Sequence, residues 1–131
     1  MHAAELRDFV TRYTAAWCSQ DPTCVAAFFS PGASLTVNNG TPAVGRTEIT
    51  ELARSFMTTF PDLKVVMDDV RIHEACTEYD WTLIGTDTGP GGGGHRVHIS
   101  GFEKRLMGAD GLIAASQGHF DAAQHFHRRR I

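Results

Sequence analysis

Phe56-Met57-Thr58-Thr59-Phe60-Pro61-Asp62-Leu63-Lys64-Val65-Val66-Met67 is where this chain changes its period. Upstream, Ile49, Leu52, Phe56 and Phe60 recur at helical spacing; downstream, apolar and polar residues alternate through 63–73. Pro61 cannot continue a helix, so Pro61-Asp62 is the break. Helices before the break and antiparallel strands after it make an α+β chain.

Working back from the break, Thr47 caps the third helix, and Glu48 and Glu51 stand in its positive first turn. A short strand at 34–37 and another at 42–45 flank Asn39-Gly40, a hairpin-turn pair. Asp21-Pro22 starts a second helix carrying Val25, Phe28 and Phe29, which stops at Pro31-Gly32. Leu6, Phe9, Val10, Tyr13 and Trp17 define a first helix over 3–19. Working forward, 77–86, 96–106 and 112–120 are the remaining strands. The glycine run 89–94 reads as a hairpin tip, because no helix with a Lys-Ser/Thr signature follows it for a phosphate to use. Asp121 then opens a short C-terminal helix from Ala122.

The 131 residues read as a single domain, 1–131, and 42% hydrophobic content supplies a full core. A net charge of -3 leaves no basic footprint for nucleic acid, and Arg128-Arg129-Arg130 reads as a solvated tail. No apolar run is long enough to span a membrane, and no secretory leader is recognisable. Three cysteines, Cys18, Cys24 and Cys76, lie inside element patterns; they read as reduced core fillers in a cytoplasmic protein. Seven histidines invite a metal check. His95 and His98 fall on opposite faces of a strand, and nothing completes a set for His125 and His127, so the expectation is no metal. Ser100 and Ser116 lack a nucleophile-elbow context.

Tyr13-x-x-x-Trp17, Asp21-Pro22, Val25-Ala26-Ala27-Phe28-Phe29 and Gly45-Arg46 resemble the SnoaL-like polyketide cyclase family of the nuclear transport factor 2-like superfamily. Phe60-Pro61-Asp62-Leu63, Trp81-Thr82-Leu83-x-Gly85-Thr86, Asp110-Gly111-Leu112-Ile113 and Phe120-Asp121 continue the resemblance in order. It implies a cone-shaped half-barrel with helices over the mouth of a curved sheet. Tyr13, Trp17, Phe28, Phe56 and Phe60 would line or cap its pocket, with Tyr13 orienting a ligand carbonyl. Trp81 would be pocket wall or outer face. The resemblance also implies a homodimer through the outer sheet face, with Trp81, Ile99 and Phe102 as contributors.

In such relatives an aspartate near the end of the last strand serves as acid/base, and Asp121 matches it; as an Asp before a helix it is equally a cap. Alternation puts Ile113, Ala115, Gln117, His119 and Asp121 on one face, so Gln117 would contact substrate and His119 would shuttle protons for Asp121. Glu103 stands where many relatives carry a histidine. Facing Asp121 it would form an acid-and-base pair; facing solvent it would pair with Lys104 or Arg105. Related epoxide hydrolases carry an aspartate where this chain has Gly118, which speaks against epoxide opening. Arg46 and Arg96 are candidates for an anionic ligand group or for surface pairing. The functional expectation is a cofactor-free acid/base enzyme. It acts on a hydrophobic carbonyl compound by aldol-type cyclisation or isomerisation. The alternative is a non-catalytic binder of an apolar metabolite or a homodimeric interaction module.

Overall fold

The computed structural model describes residues 3–73, 76–88 and 93–120. In chain order the elements are α1 (Ala3–Cys18), α2 (Pro22–Ala26), β1 (Phe29–Val37), β2 (Ala43–Val44), α3 (Gly45–Thr59), β3 (Lys64–Ile72), β4 (Thr77–Asp87), β5 (His95–Met107) and β6 (Ile113–Phe120). The strands form one sheet in the order β2-β1-β6-β5-β4-β3. Among the described residues only β1 and β6 run parallel; every other pair is antiparallel. This α+β arrangement matches the sequence expectation of N-terminal helices on a mainly antiparallel sheet.

The helices pack on one face of that sheet. Leu6, Phe9, Val10, Tyr13 and Ala16 form the buried stripe of α1. The α3 stripe divides: Ile49, Ala53 and Met57 are buried, whereas Leu52 and Phe56 are only partly so. Asp21 caps α2 by accepting from the Thr23 N–H at 3.0 Å, with Pro22 in the first turn. At α3 no Thr47 side chain caps the helix. Glu48 reaches back instead to accept from the Val44 N–H at 2.9 Å.

One element departs from the sequence pattern. The second helix ends at Ala26, and Phe29 begins β1 opposite Ile113. Both side chains are fully buried there. Burying each stabilises by roughly 1.5–3 kcal/mol, against helix-propensity differences of about 0.7 kcal/mol or less, so tertiary pairing overrides the local signal. Pro31-Gly32 lies in the irregular step between the Phe29 and Ser34 pairings, where a missing N–H does no harm. The β1 turn is centred on Asn38-Asn39, both at positive φ, with Gly40 N–H donating to the Val37 carbonyl at 2.9 Å.

Two core clusters meet behind the sheet. The larger gathers α1, α2, α3 and β1 side chains around Tyr13, and the smaller holds Phe60, Leu63, Leu83, Val97 and Ile99. Cys18 and Cys24 are exposed free thiols, correcting the core-filler reading; Cys18 Sγ contacts the Val65 backbone at 3.4 Å. No helix among the described residues is long and apolar enough to cross a membrane.

Trp81 faces inward, beside Gly101 of β5. A Cβ on Gly101 would sit 2.6 Å from Trp81 Cζ2 and 2.5 Å from the His119 carbonyl oxygen. The indole and the backbone are both rigid, so neither gives way. Gly101→Ala is therefore expected to destabilise the protein by about 1–3 kcal/mol through overpacking. A thermal melt matching the parent would refute this.

Candidate functional site

Three donors and one carboxylate form the polar centre of the molecule. Glu103 and Arg105 lie two apart on β5, so both point to the helix side of the sheet. Arg105 Nε and Nη2 donate to Glu103 Oε2 at 3.2 and 3.1 Å. The Ser116 hydroxyl donates to the same oxygen at 2.8 Å. Glu103 Oε1 accepts only the longer Tyr13 hydroxyl bond, at 3.4 Å, among the described residues. The Arg105 guanidinium is 1% exposed and lies 4.2 Å from the Tyr13 ring centroid and 4.7 Å from that of Tyr79.

Electrostatics follow from this enclosure. Burial foremost, with the Glu103 charge second, pushes the Tyr13 phenol well above its ordinary value. Burial likewise pushes the Tyr79 phenol up, against the pull of its 2.7 Å hydrogen bond with Thr14. Burial by itself works against the Arg105 charge, but Glu103, Tyr13 and Tyr79 together raise its pKa.

Glu103 also opens onto a cavity of about 60 Å³, partly open on one side. Its roof is Trp17 from α1 with Leu52 and Phe56 from α3. Its floor is strand residues: Leu35 and Val37, Val65, then Tyr79, Trp81 and Leu83, and finally Gly118 and Phe120. Gly118 pairs with Glu103 across the ladder and lines the cavity beside it, where a Cβ would make an ordinary 3.5 Å contact with Glu103 Cγ. The lining is almost wholly apolar, so a ligand here meets one carboxylate in a hydrophobic wall.

The expected aromatic residues and Glu103 separate into four groups. Trp17, Phe56, Trp81 and Glu103 reach the cavity. Tyr13 touches it only through Glu103, being fully buried. Phe28 packs against Phe9 and Tyr13 and lines a surface groove instead. Phe60 sits in the smaller core cluster over Gly85.

Gln117 and His119 require a correction. The β5–β6 register steps from Leu106–Ala115 to Met107–Ile113, leaving Ala114 as an extra residue. Beyond that bulge the alternation inverts: Ser116, Gly118 and Phe120 face inward, and Gln117 and His119 face outward, the latter ring 5.2 Å from Phe102. Asp121, His125 and His127 lie outside the described residues.

Trp81 and Ile99 also face inward, so of the three outer-face candidates Phe102 alone remains. Arg46 donates to the Phe29 carbonyl at 2.9 Å and Arg96 pairs with Asp62 at 3.3 Å, fates that are structural rather than ligand-directed. Among the described residues no group of His, Cys, Asp and Glu is arranged to hold a metal ion. Sequence reasoning missed Arg105, Ser116, Tyr79 and Phe120. The first was legible as the same-face neighbour of Glu103; the others needed the register.

A helix-roofed, mainly antiparallel sheet enclosing an apolar cavity with an inward carboxylate is the ketosteroid isomerase-like class of α+β protein. The SnoaL-like domain matches residues 10–116, and the chain belongs to that family, within the nuclear transport factor 2-like superfamily. Three solved structures illustrate the likeness. TsrD from Streptomyces laurentii is 20% identical with a TM-score of 0.84, over 98% of this chain and 97% of that one. A Jannaschia protein assigned to the SnoaL-like polyketide cyclases is 18% identical with a TM-score of 0.77, over 88% and 85%. A protein of ketosteroid isomerase-like fold from Catenulispora acidiphila, in complex with trimethylamine, is 13% identical with a TM-score of 0.82, over 94% and 92%. Identities this low show the fold alone. The chain matches no curated protein sequence.

The sequence contains two tyrosines, and both phenols are raised in the folded state. The folded chain keeps those protons where the unfolded chain, ionising near pH 10, releases them. Stability is thus fully present below about pH 10 and falls as pH rises beyond it. Tyrosinate absorbance is expected to appear only together with loss of the native circular dichroism. Ionisation of either tyrosine near pH 10 in the folded protein would refute the burial argument.

Proposed function

We propose that this protein is a cofactor-independent acid/base enzyme acting on a small hydrophobic carbonyl compound, with Glu103 as the proton-abstracting group. The observation that carries the reading is the asymmetry of the Glu103 carboxylate. Oε2 takes all three short hydrogen bonds, while Oε1 has one long one and the residue borders the cavity. Glu103 removes a proton from the carbon next to the carbonyl, and the electron pair moves to the carbonyl oxygen as an enolate. That enolate either attacks a second carbonyl, forming a carbon–carbon bond as the C=O π bond opens to an alkoxide that takes the proton from Glu103, or takes that proton back at another carbon. Water exclusion by the apolar wall and fixed orientation supply the remainder of the rate. Asp121, next to the cavity residue Phe120 in sequence, is the second candidate base.

The size of the cavity limits the substrate. An apolar cavity of about 150 Å³ holds benzene, against about 60 Å³ here. A polycyclic ketone therefore requires Trp17, Leu52 or Phe56 to move; a single small ring protruding through the open side does not. A second reading rests on the trimethylamine bound by the Catenulispora relative. Trp17, Phe56 and Trp81 with Glu103 would also suit a small alkylammonium ion, held without chemistry.

Exchange of the α-protons of cyclopentanone into heavy water, followed by NMR, tests the enzymatic reading. The parent is expected to accelerate exchange over buffer, and Glu103→Gln to lose about 10²–10⁴-fold of that rate. Glu103→Gln strands the buried Arg105 charge, so Glu103→Gln combined with Arg105→Met is measured alongside it. Parent-like exchange by a folded double variant removes Glu103 as base, and loss in Asp121→Asn alone transfers the role there. No acceleration by the parent leaves the binding reading.

Homodimerisation through the outer sheet face belongs to the same proposal, with exposed Val66 and Leu106 and half-buried Phe102 as its apolar contacts. Sedimentation equilibrium is expected to give twice the chain mass, reduced to the chain mass by Leu106→Lys; a monomeric parent refutes it.

A further inference from the structure

We infer that the Trp81 indole N–H is the cavity's ligand-binding donor and selects small neutral compounds carrying one acceptor oxygen. The inference deepens the reading of the cavity as a ligand site and rests on it. Trp81 lines the cavity wall, and its Nε1 is buried without a hydrogen-bond partner among the described residues. Such an orphan costs about 1–3 kcal/mol, and native interiors seldom leave one without a reason.

The indole is held in place by its surroundings. Gly101 lies beneath it, where any Cβ would collide with Cζ2 and Cη2 at 2.6 and 2.8 Å. The Phe120 ring closes another side, 6.2 Å away at 60°. No other described lining residue offers a free side-chain donor. The Trp17 indole hydrogen-bonds the Tyr13 hydroxyl. Arg105, whose Nη1 is the other buried side-chain atom without a partner among the described residues, does not line the cavity. The Tyr79 hydroxyl bonds Thr14, and Glu103 carries only acceptor oxygens. Among the lining residues Trp81 is therefore the donor left without a hydrogen bond, and so the one left for a ligand.

Charge sets the rest of the selection. An anionic ligand would meet the Glu103 carboxylate in an apolar wall, and an alkylammonium ion would use Glu103 and the ring faces and leave the indole N–H unpaired. A ketone, aldehyde or ether oxygen on an apolar body satisfies the donor and leaves the wall dry. Trp81 thus acts as a specificity-determining residue, and Gly101 as the residue that positions it.

The test compares cyclopentanone with methylenecyclopentane, the same ring with CH₂ in place of oxygen. The readout is the two indole N–H resonances of isotope-labelled protein, assigned with Trp17→Phe. The expected result is a downfield shift of the Trp81 signal by the ketone only. The ketone should also bind about tenfold more tightly than the hydrocarbon, equivalent to one net hydrogen bond. Trp81→Phe should abolish that preference while keeping hydrocarbon binding. If that variant fails to fold, Trp81 replaced by benzothienylalanine, which keeps the ring shape and lacks the N–H, serves instead. Methyl shifts at Leu35, Val37 and Leu83 with an unmoved indole signal and equal affinities overturn the inference and leave the cavity reading standing. No response of methyls or indole to either probe overturns both. Catalysis is not needed for any of these outcomes.

Discussion

The buried pair of Arg105 and Glu103 constrains the rest of the structure. Taking both charges out of water costs several kcal/mol each, so the pair adds little net stability. Its influence lies in what it forbids. Any packing that separated the partners would leave an uncompensated interior charge, at about 3–5 kcal/mol. Tyr13 from α1 and Tyr79 from β4 flank the guanidinium, and Ser116 from β6 completes the carboxylate's bonds. Helix, sheet centre and last strand are thereby tied to one point.

The same arrangement yields the site. Arg105 and Ser116 occupy Oε2, Glu103 turns its other oxygen toward Tyr13, and the residue lines the cavity. Two glycines border it: Gly118 lines the cavity opposite Glu103, and Gly101 leaves the space that the Trp81 ring fills. The half-exposed side of α3, Leu52 and Phe56, is the roof rather than a failure of packing. An amphipathic stripe with large residues left partly open on the core side is how this chain leaves a cavity in its interior.

Much of the fold was legible in the sequence. The break at Pro61-Asp62, the four long alternating strands and the Tyr13–Trp17 stripe each carry a local signal, and the observed elements follow them closely. The exception is Phe28-Phe29, whose helical spacing yielded to a strand partner at Ile113. Within the site, Trp17, Phe56 and Glu103 could be named from spacing and resemblance. Arg105 went unassigned to the interior because a lone arginine on a strand normally reads as surface, and only its partner reverses that.

Local sequence thus determined which segments are helical, which are extended, and that one face of each is apolar. Those properties depend on neighbours along the chain. Tertiary structure decided the facing of Gln117, His119 and Phe120, because one bulge at Ala114 shifts every later residue of β6 to the opposite side. A period-2 element has no memory of its register in composition. The registers of β5 and β1 supply it, and with it the choice of Glu103 over His119 as the inward polar group.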